Sequence, residues 1–359
     1  TTPVAQDEAG LRLDRWFKRH YPALGHGPLE KLLRTGQVRI DGKRASAGDR
    51  LEAGQAIRIP PQLQGQTGQH PQAPRSSTIS EADREIPPQL QGQTGQHPQA
   101  PRSSTISEAD REFMERMVIH EDASVFVLNK PSGIATQGGS GISRHIDGLL
   151  EALQGKKRQK PRLVHRLDRD TSGVLVVART IPAAAALSES LRRRDARKIY
   201  WALTKGVPIP HRGVVKLALA KESGFGPRGR DERMAPADED SEDAKSATTH
   251  YVVMGTAANQ YAWVALRPVT GRTHQLRAHL AHLGTPIVGD FKYGGEKAKG
   301  LGEIEDRLHL HARSIDMAHP EGGRLRATAP LPPHMLHAWR LFGFDPNSTA
   351  DPFKDEFRT

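Results

Sequence analysis

Apolar residues near the start of the chain repeat first with helical and then with strand spacing. Two helices are predicted, each with its apolar side chains on one face: Leu13, Trp16 and Phe17 in the first, and Leu29, Leu32 and Leu33 in the second. Residues 38–40 and 56–59 have short strand patterns, and Asp41-Gly42 is a typical hairpin turn. Residues 4–59 are therefore predicted to form a small α/β domain.

Strand and helix patterns also alternate between residues 113 and 345. Short apolar runs predict buried strands at 125–128, 173–178, 200–204 and 261–266. Helical spacing predicts an amphipathic helix from six residues: Ile142, His145, Ile146, Leu149, Leu150 and Leu153. A later helix is predicted to bury Leu336, Trp339 and Phe342. This mixture predicts an α+β domain over 113–345.

Two identical copies of a 27-residue sequence follow one another at 59–85 and 86–112. A solenoid needs about three or more repeats, each with an apolar face, and these copies have no such face. Residues 60–112 are therefore predicted to form a flexible linker. A tether that contacts RNA is the alternative, and the sequence leaves open whether the duplication is natural.

Two further segments lack any apolar period. Residues 221–245 are polar and Gly-rich, and we expect a surface loop inserted between strands. The acidic part of this insert, 222–243, is expected to lie where it could alter contacts with a substrate. Residues 346–359 are expected to form a loose tail.

The charge is distributed unevenly along the chain. Lysine and arginine number 52 against 41 acidic residues, which gives a formal net charge of +11 at pH 7. Residues 4–59 carry +4 and residues 113–359 carry +9, whereas the linker carries −2. This pattern favours an anionic partner, with nucleic acid before a membrane surface.

Several function classes are excluded by what the sequence lacks. The chain has no cysteine, so a thiol nucleophile and a thiolate metal site are excluded. No run approaches the roughly 20 apolar residues of a membrane-spanning helix, and the first residues have no signal-peptide pattern. We therefore expect a soluble, cytoplasmic protein.

Five basic residues cluster around the second helix and the hairpin of the first domain: Lys31, Arg34, Arg39, Lys43 and Arg44. On charge alone, a solvated basic rim is an alternative to an RNA-binding surface. The string LEKLLRTGQVRIDGKRA and its flanks resemble the small RNA-binding domain first named from small-subunit ribosomal protein four. The resemblance implies that the second helix and the hairpin bind structured RNA.

The most specific pattern of the chain is LVHRLDRDTSG at residues 163–173. Asp168 lies between Arg166 and Arg169, and neighbouring cations favour the ionised, nucleophilic form of a carboxylate. For an arbitrary aspartate, an ion-paired loop acid would be the better interpretation. The whole string, however, resembles the HRLD-x-D-T-S-G signature of the RluA family of pseudouridine synthases, which implies that Asp168 is the catalytic residue.

Three further segments resemble motifs of this family in the same order: 129–133, 197–202 and 267–277. The resemblance implies that Tyr200 stacks on the free base, with removal of the proton from carbon 5 in the final step as a further role, and that Arg277 pairs with the catalytic aspartate. Arg166 would fill the space left by the flipped base, and Arg272 and His274 would contact RNA. The implied fold is α+β, with a mixed, largely antiparallel sheet and a central RNA-binding cleft.

The resemblance implies that the protein isomerises specific uridines to pseudouridine. The uridine must leave its stack, its bond to the ribose is cut, and the base is rejoined through carbon. Whether Asp168 attacks the ribose, attacks the base or removes a ribose proton is left open. The first domain and the Gly-rich stretch 138–141 favour 23S, large-subunit ribosomal RNA as substrate, free or in a pre-ribosomal particle. No cofactor and no metal are implied, and a monomer is expected.

Two other functions compete with the synthase hypothesis. A catalytically silent ribosome-assembly factor would not need Asp168, Tyr200 and Arg277 together. A metal-dependent RNA hydrolase would use histidines, of which the candidates are His274, His279, His282, His309 and His311. The G-x-G-x-x-G pattern at 224–229 has no clear strand before it and no apolar helix after it, so it does not predict a nucleotide-binding loop.

Overall fold

The computed structural model describes residues 1–63 and 106–354, apart from gaps at 22–23, 25, 140–141, 155–158, 194, 226–230, 239 and 242. The described residues form two compact units, one in each range. Most of the predicted linker, the last five residues and most of the G-x-G-x-x-G pattern lie outside the described part.

The first unit combines two helices with a four-stranded antiparallel sheet in the order β1-β4-β2-β3. The strands are β1 (Thr2–Pro3), β2 (Arg39–Ile40), β3 (Lys43–Arg44) and β4 (Ala56–Arg58). The helices are α1 (Leu13–His20) and α2 (His26–Arg34), with 3-10 turns at Gln6–Glu8 and Pro61–Leu63. Asp41 and Gly42 both have a left-handed backbone, as a tight hairpin turn requires.

Burial of the apolar face of α1 stabilises the first unit. Leu13, Trp16 and Phe17 are at most 1% exposed, as their helical spacing predicts. The buried carboxylate of Glu8 accepts a hydrogen bond of 2.8 Å from Trp16 Nε1 and lies 2.6 Å from His20 Nε2. These partners compensate for removing the carboxylate from water.

The second unit contains eleven strands and six helices among its described residues. The strands are β5 (Val118–Glu121), β6 (Val125–Lys130), β7 (Arg162–Leu163), β8 (Ser172–Ala178), β9 (Arg197–Lys205), β10 (Arg212–Phe225), β11 (Asp231–Pro236), β12 (Lys245–Ala257), β13 (Tyr261–Pro268), β14 (Leu310–Ala318) and β15 (Arg324–Thr328). The helices are α3 (Glu108–Glu115), α4 (Ile146–Leu149), α5 (Ile181–Arg192), α6 (Gln275–His282), α7 (Phe291–Gly294) and α8 (Pro333–Leu341). Further 3-10 turns lie at Leu150–Leu153 and Gly295–Ala298.

All eleven strands belong to one sheet, with the main order β11-β10-β12-β13-β9-β14-β8-β6-β5. β15 pairs with β14, and β7 pairs with β8. Among the described strands, β8 and β14 form the only parallel pair, so the predicted mixed, largely antiparallel sheet is confirmed. Gly173 has φ +110°, and a Cβ there would lie 2.2 Å from Ala312 O. This close approach of β8 to β14 therefore requires glycine.

An aromatic cluster fills the core behind β9 and β13. The rings of Trp201 and Trp339 are stacked with centroids 6.2 Å apart, and Trp263 meets Trp201 edge-on at 4.6 Å. Trp339 is fully buried, and Leu336 and Phe342 pack against the same cluster. The prediction that this helix face is part of the core is confirmed.

The predicted amphipathic helix over 142–153 is shorter than its periodicity suggests. Only α4 and the following 3-10 turn are helical, because His145 has an extended backbone that bridges to Ala135. The next two backbone N–H groups, of Ile146 and Asp147, donate to the carbonyls of Ala135 and Thr136. Pairing with the 129–136 segment therefore replaces the first turn of the helix.

The prediction of a surface loop over 221–245 is wrong for most of the described residues of this segment. β10 continues to Phe225 and pairs with β11, with Lys221 opposite Met234. Arg233 Nε donates to Glu222 across this pair at 2.5 Å. Backbone hydrogen bonds hold this pair of strands together at the edge of the sheet. The pair therefore forms without the alternation of apolar and polar residues from which strands are predicted.

The described part of the predicted loose tail, residues 346–354, is packed, although a loose tail was expected over 346–359. Phe353 is fully buried in the aromatic cluster, and Asp351 forms an ion pair with Arg197. Arg313 and Arg212 donate hydrogen bonds of 3.0 and 2.9 Å to the carbonyls of Pro346 and Pro352. A single apolar residue in a polar segment has no period, which is why the sequence did not indicate this contact.

We expect Phe353→Ala to destabilise the second unit by about 3 kcal/mol, because truncation of a buried phenylalanine leaves a cavity. Denaturant unfolding followed by tryptophan fluorescence measures the change, since Trp201, Trp263 and Trp339 belong to the same cluster. Leu341→Ala is the control, because Leu341 is 50% exposed. An unchanged unfolding midpoint for Phe353→Ala would contradict the packing of the tail.

Candidate active site

Asp168 lies in a loop between β7 and β8 that the 129–136 segment holds from one side. Thr136 Oγ1 donates to Leu167 O at 2.6 Å and accepts from Leu167 N at 3.1 Å. The N–H of Gly133 donates to Arg169 O at 2.9 Å. Asp168 is thus flanked on both sides by residues whose backbone is fixed, while its own side chain remains 21% exposed.

Lys130 also holds this loop in place through hydrogen bonds. Its side chain is fully buried, and Nζ donates to the carbonyls of Pro131, Ile134 and Arg169 at 2.9, 2.9 and 3.0 Å. Three carbonyl oxygens satisfy the three N–H groups of the ammonium. The motif at 129–133 therefore has a structural role, which is to hold the loop that carries Asp168.

A cleft of about 240 Å³ opens beside Asp168. It is lined by the Asp168 loop, by β9, by the 267–277 segment and by the start of α6. Six of the residues predicted for the site line it: Arg166, Asp168, Tyr200, Arg272, His274 and Arg277. Three of the four sequence motifs, those at 163–173, 197–202 and 267–277, contribute residues to this lining.

Burial shifts the pKa values of three titratable side chains on the sheet side of the cleft. Burial, together with the nearby charge of Asp168, raises the pKa of the Tyr200 phenol well above its ordinary value. Burial lowers the pKa of His165 to about 3, and its Nε2 accepts a hydrogen bond of 2.9 Å from Val176 N. Burial also lowers the pKa of Lys198. Tyr200 therefore presents a neutral phenol, which keeps its hydroxyl proton, at the cleft.

Arg277 does not bind the carboxylate that the resemblance implied. Its Nε and Nη2 donate to Asp290 at 2.8 and 2.6 Å, in a buried bidentate ion pair. Burial lowers the pKa of Arg277, but the hydrogen bonds and the charge of Asp290 raise it, and the net result is a raised pKa. In the described contacts, Asp168 acts on Arg277 only through the longer-range attraction between their charges.

Among the described residues, His274 is the one basic side chain within ion-pair distance of Asp168. Its Nε2 lies 3.9 Å from Asp168 Oδ2, and its Nδ1 lies 2.9 Å from the hydroxyl of Tyr293. His274 has φ +51° and begins α6. Gln275 fixes this bend, because its side-chain oxygen accepts from Thr270 Oγ1 and from Arg272 N.

Asp290 and Tyr293 were not predicted from the sequence. They lie one turn apart at the start of α7 and face Arg277 and His274, which are one turn apart on α6. The segment GDFKYG at 289–294 contains charge and an aromatic ring between glycines, but nothing in its spacing links it to Asp168. Only the docking of α7 on α6 reveals the pairing.

A second cavity, of about 490 Å³, adjoins the cleft. The two share Lys198, Arg272 and the turn 268–271. Other basic residues complete its lining: Arg192, Arg197, Arg267 and Arg324. Its two carboxylates, Asp195 and Asp316, are both paired with Arg324, so the cavity has an excess of positive charge.

The candidate metal ligands do not converge. Burial lowers the pKa of His309 and of His311 to about 3, and their Nδ1 atoms are bonded to Arg307 O and to Ser172 Oγ. Within the described ranges, no three histidine or acidic side chains are arranged to hold a metal ion. The metal-dependent hydrolase hypothesis therefore has no ligand set in this part of the chain.

The basic residues predicted for RNA binding in the first unit lie close together. Arg44 Nη2 donates to Arg34 O at 3.1 Å, and Arg39 Nη1 donates to Gly42 O at 3.0 Å. Lys43 is exposed in the hairpin, whereas the side chain of Lys31 lies outside the described part. Separately, none of the described helices is long and apolar enough to cross a membrane.

Comparison with known proteins identifies the family. The family model described as RNA pseudouridylate synthase matches residues 124–282, a range that contains all four motifs. Ribosomal large subunit pseudouridine synthase C of Pasteurella multocida is 34% identical over 340 residues, which span 92% of this chain and 90% of the relative. The chain belongs to the RluA family of RNA pseudouridine synthases. Its resemblance to this family is confirmed.

Other relatives agree with this assignment. RNA pseudouridine synthase 4, mitochondrial, of Arabidopsis thaliana is 33% identical, and the alignment spans 91% of this synthase and 78% of the relative. The solved structure of human RNA Pseudouridylate Synthase Domain Containing 4 matches with a TM-score of 0.55 and 30% identity over 66% of this chain and 96% of that chain. The predicted α+β pseudouridine synthase fold is confirmed, and family membership favours an enzyme over a catalytically silent factor.

The stability of the synthase is expected to rise with pH above neutrality because of Lys130. Burial lowers its pKa to about 7, although the charges of Asp170 and Asp168 oppose this, and its ordinary value is 10.5. Between these values the unfolded chain binds more protons than the folded chain, so the free energy of unfolding increases with pH. Urea unfolding between pH 7 and pH 10 measures the slope, and Lys130→Met is expected to reduce it. Equal slopes for the two proteins would contradict the assignment.

Proposed function

We propose that this synthase isomerises specific uridines of large-subunit (23S) ribosomal RNA, with Asp168 as its catalytic residue. The observation that carries the proposal is the cleft: Asp168 is the one carboxylate among its described lining residues, and Tyr200, His274 and Arg277 surround it. The substrate class is supported by the Pasteurella multocida relative, which is named as a synthase of the ribosomal large subunit.

The chemistry needs one nucleophile or base and no electron transfer. The bond between N1 of uracil and C1′ of ribose breaks, a bond between C5 and C1′ forms, and the proton on C5 is lost while N1 gains one. Asp168 would act on C1′, on the base or on a ribose proton, and all three steps are compatible with its exposed position in the cleft. No cofactor is required for any of them.

The other predicted residues have distinct roles in this proposal. Tyr200 would stack on the detached base. This role is supported by its position in the cleft with Asp168 and by its uncharged phenol. Arg166 would enter the space of the flipped nucleotide and bind phosphate. It is exposed at the cleft and has no ion-pair partner among the described residues. Arg277 would act through its charge, because its hydrogen bonds are made to Asp290.

The RNA strand would continue into the second, basic cavity. A flipped uridine in the cleft leaves its neighbouring nucleotides outside it, and Lys198 and Arg272 line both spaces. Arg272 is exposed and donates through Nε to Ser246 O at 3.2 Å, so its outer nitrogens face solvent. A phosphate bound there would connect the two sites.

We propose further that residues 4–59 form an RNA-binding domain, that 60–112 is a linker, and that 113–345 is the catalytic domain followed by 346–359. The cluster of Arg34, Arg39, Lys43 and Arg44 supports the first assignment. A monomer acting in the cytoplasm on ribosomal RNA or on a pre-ribosomal particle is the simplest arrangement consistent with these parts.

We expect Asp168→Asn to abolish pseudouridine formation, because the amide can neither attack nor accept a proton. The measurement is chemical mapping of pseudouridine in unmodified 23S ribosomal RNA after incubation with each protein. Asp170→Asn is the matched control. Asp170 is two residues away and pairs with Arg169, and this variant should retain most of the activity. Equal pseudouridine levels for wild type and Asp168→Asn would overturn the proposed catalytic role.

A paired substitution tests the first unit. Lys43→Gln with Arg44→Gln should weaken RNA binding and reduce the slope of log affinity against log salt by about two, since each lost phosphate contact removes roughly 0.7–0.9. Filter binding of the mapped RNA at several salt concentrations gives the slope. Arg50→Gln is the control, because Arg50 donates to Gly10 O and lies outside the cluster. An unchanged slope would remove this unit from the RNA-binding surface.

A further inference from the structure

Tyr293 lies at the junction of three elements of the second unit. Its hydroxyl accepts a hydrogen bond of 2.9 Å from the backbone N–H of Met234 in β11. The same hydroxyl lies 2.9 Å from His274 Nδ1. Its ring contacts both neighbours on α6, with Arg277 Cζ 5.0 Å from the ring centroid and His274 edge-on at 5.6 Å. The hairpin β10–β11 is thereby connected to a residue of the cleft.

The hydrogen bonds of Tyr293 determine which nitrogen of His274 carries the proton. A phenol has one proton to donate, and its oxygen already accepts from Met234. The described acceptor within reach of the hydroxyl is His274 Nδ1, and when Tyr293 donates to it, Nδ1 is unprotonated. Neutral His274 therefore carries its proton on Nε2, which is the nitrogen nearest to Asp168 at 3.9 Å.

The surroundings keep both rings in these protonation states. Burial raises the pKa of Tyr293 to about 12, which keeps the phenol able to donate. Burial lowers the pKa of His274, and the charges of Arg277 and Lys292 add to this effect, whereas Asp168 and Asp290 oppose it. His274 is therefore neutral near pH 7, and its orientation depends on the donor at Nδ1.

We propose that Tyr293 is a positioning residue that fixes the Nε2–H tautomer of His274 toward Asp168, and that β11 holds Tyr293 in place through the N–H of Met234. The inference deepens the proposed function, because it rests on Asp168 as the catalytic residue. It also gives the 222–243 insert a structural role, because β11, the second strand of the insert, binds the hydroxyl of Tyr293.

The first test reads the tautomer directly and needs no RNA. The full chain is labelled with ¹⁵N-histidine, and long-range ¹H–¹⁵N spectra are recorded, with His274 assigned by its loss in His274→Gln. In the wild type, Nδ1 is expected to have the shift of an unprotonated nitrogen and Nε2 that of a protonated one. Tyr293→Phe keeps the ring contacts but removes the donor, so both shifts should move toward the averaged values of exchanging tautomers. Unchanged shifts would overturn the proposal.

The second test separates the hairpin from Tyr293. Met234→Pro removes the N–H that binds Tyr293, and an edge strand tolerates proline where the N–H is not used in the ladder. It should move the His274 shifts in the same direction as Tyr293→Phe. Met234→Leu keeps the N–H and should give the wild-type spectrum. If Met234→Pro matches Met234→Leu, the hairpin has no part in positioning His274.

Activity provides the third readout. Tyr293→Phe should lower kcat about tenfold with little change in KM, as loss of a partner that orients a histidine does elsewhere. The acid limb of the pH–activity profile of this variant should move to higher pH, because Nδ1 of His274 binds a proton more readily when it no longer accepts a hydrogen bond from Tyr293. A proportional loss at every pH would indicate a merely structural role and contradict the proposal. If the wild type forms no pseudouridine, the proposed function fails, whereas the spectra still decide the tautomer.

Discussion

The buried ion pair between Arg277 and Asp290 constrains the whole cleft side of the second unit. Both side chains are removed from water, with exposures of 8% and 0%, and a buried charge is tolerated only when its partner is in place. The bidentate geometry fixes α7 against α6. Because His274 and Tyr293 lie one turn from the paired residues, the same docking brings their side chains into contact. One electrostatic requirement thus orders two helices and the basic side chain within ion-pair distance of Asp168.

The sheet supplies the opposite side of the cleft. The Asp168 loop enters β8, and Tyr200 lies on β9, with β14 between these strands. The close approach of β8 to β14 at Gly173 ends the loop at a fixed point. Lys130 and Thr136 hold the loop on either side of Asp168, through the carbonyls of Arg169 and Leu167. The catalytic candidate is therefore presented on a short loop whose two ends are held by rigid structure, which is what a preorganised site requires.

Local patterns predicted much of this protein correctly, and their failures have a common cause. The strands and helices whose apolar residues pack on a core appeared where the periodicity indicated, as Leu13, Trp16 and Trp339 illustrate. The hairpin β10–β11 and the packed tail were missed, since backbone ladders and a single buried Phe353 leave no period. The helix before α4 was overestimated, because pairing with Ala135 takes the backbone that the first turn would use.

The amino-acid sequence predicted the family correctly and nominated the candidate site residues, since four motifs in a fixed order carry information that does not depend on packing. It also determined the basic charge of both folded parts. The tertiary structure alone shows which carboxylate binds Arg277, that Tyr293 faces His274, and that the N–H of Met234 in β11 donates to Tyr293. These contacts join segments whose spacing along the chain is arbitrary, so their partners are fixed by the docking of α6, α7 and β11 and by the need to satisfy buried polar groups.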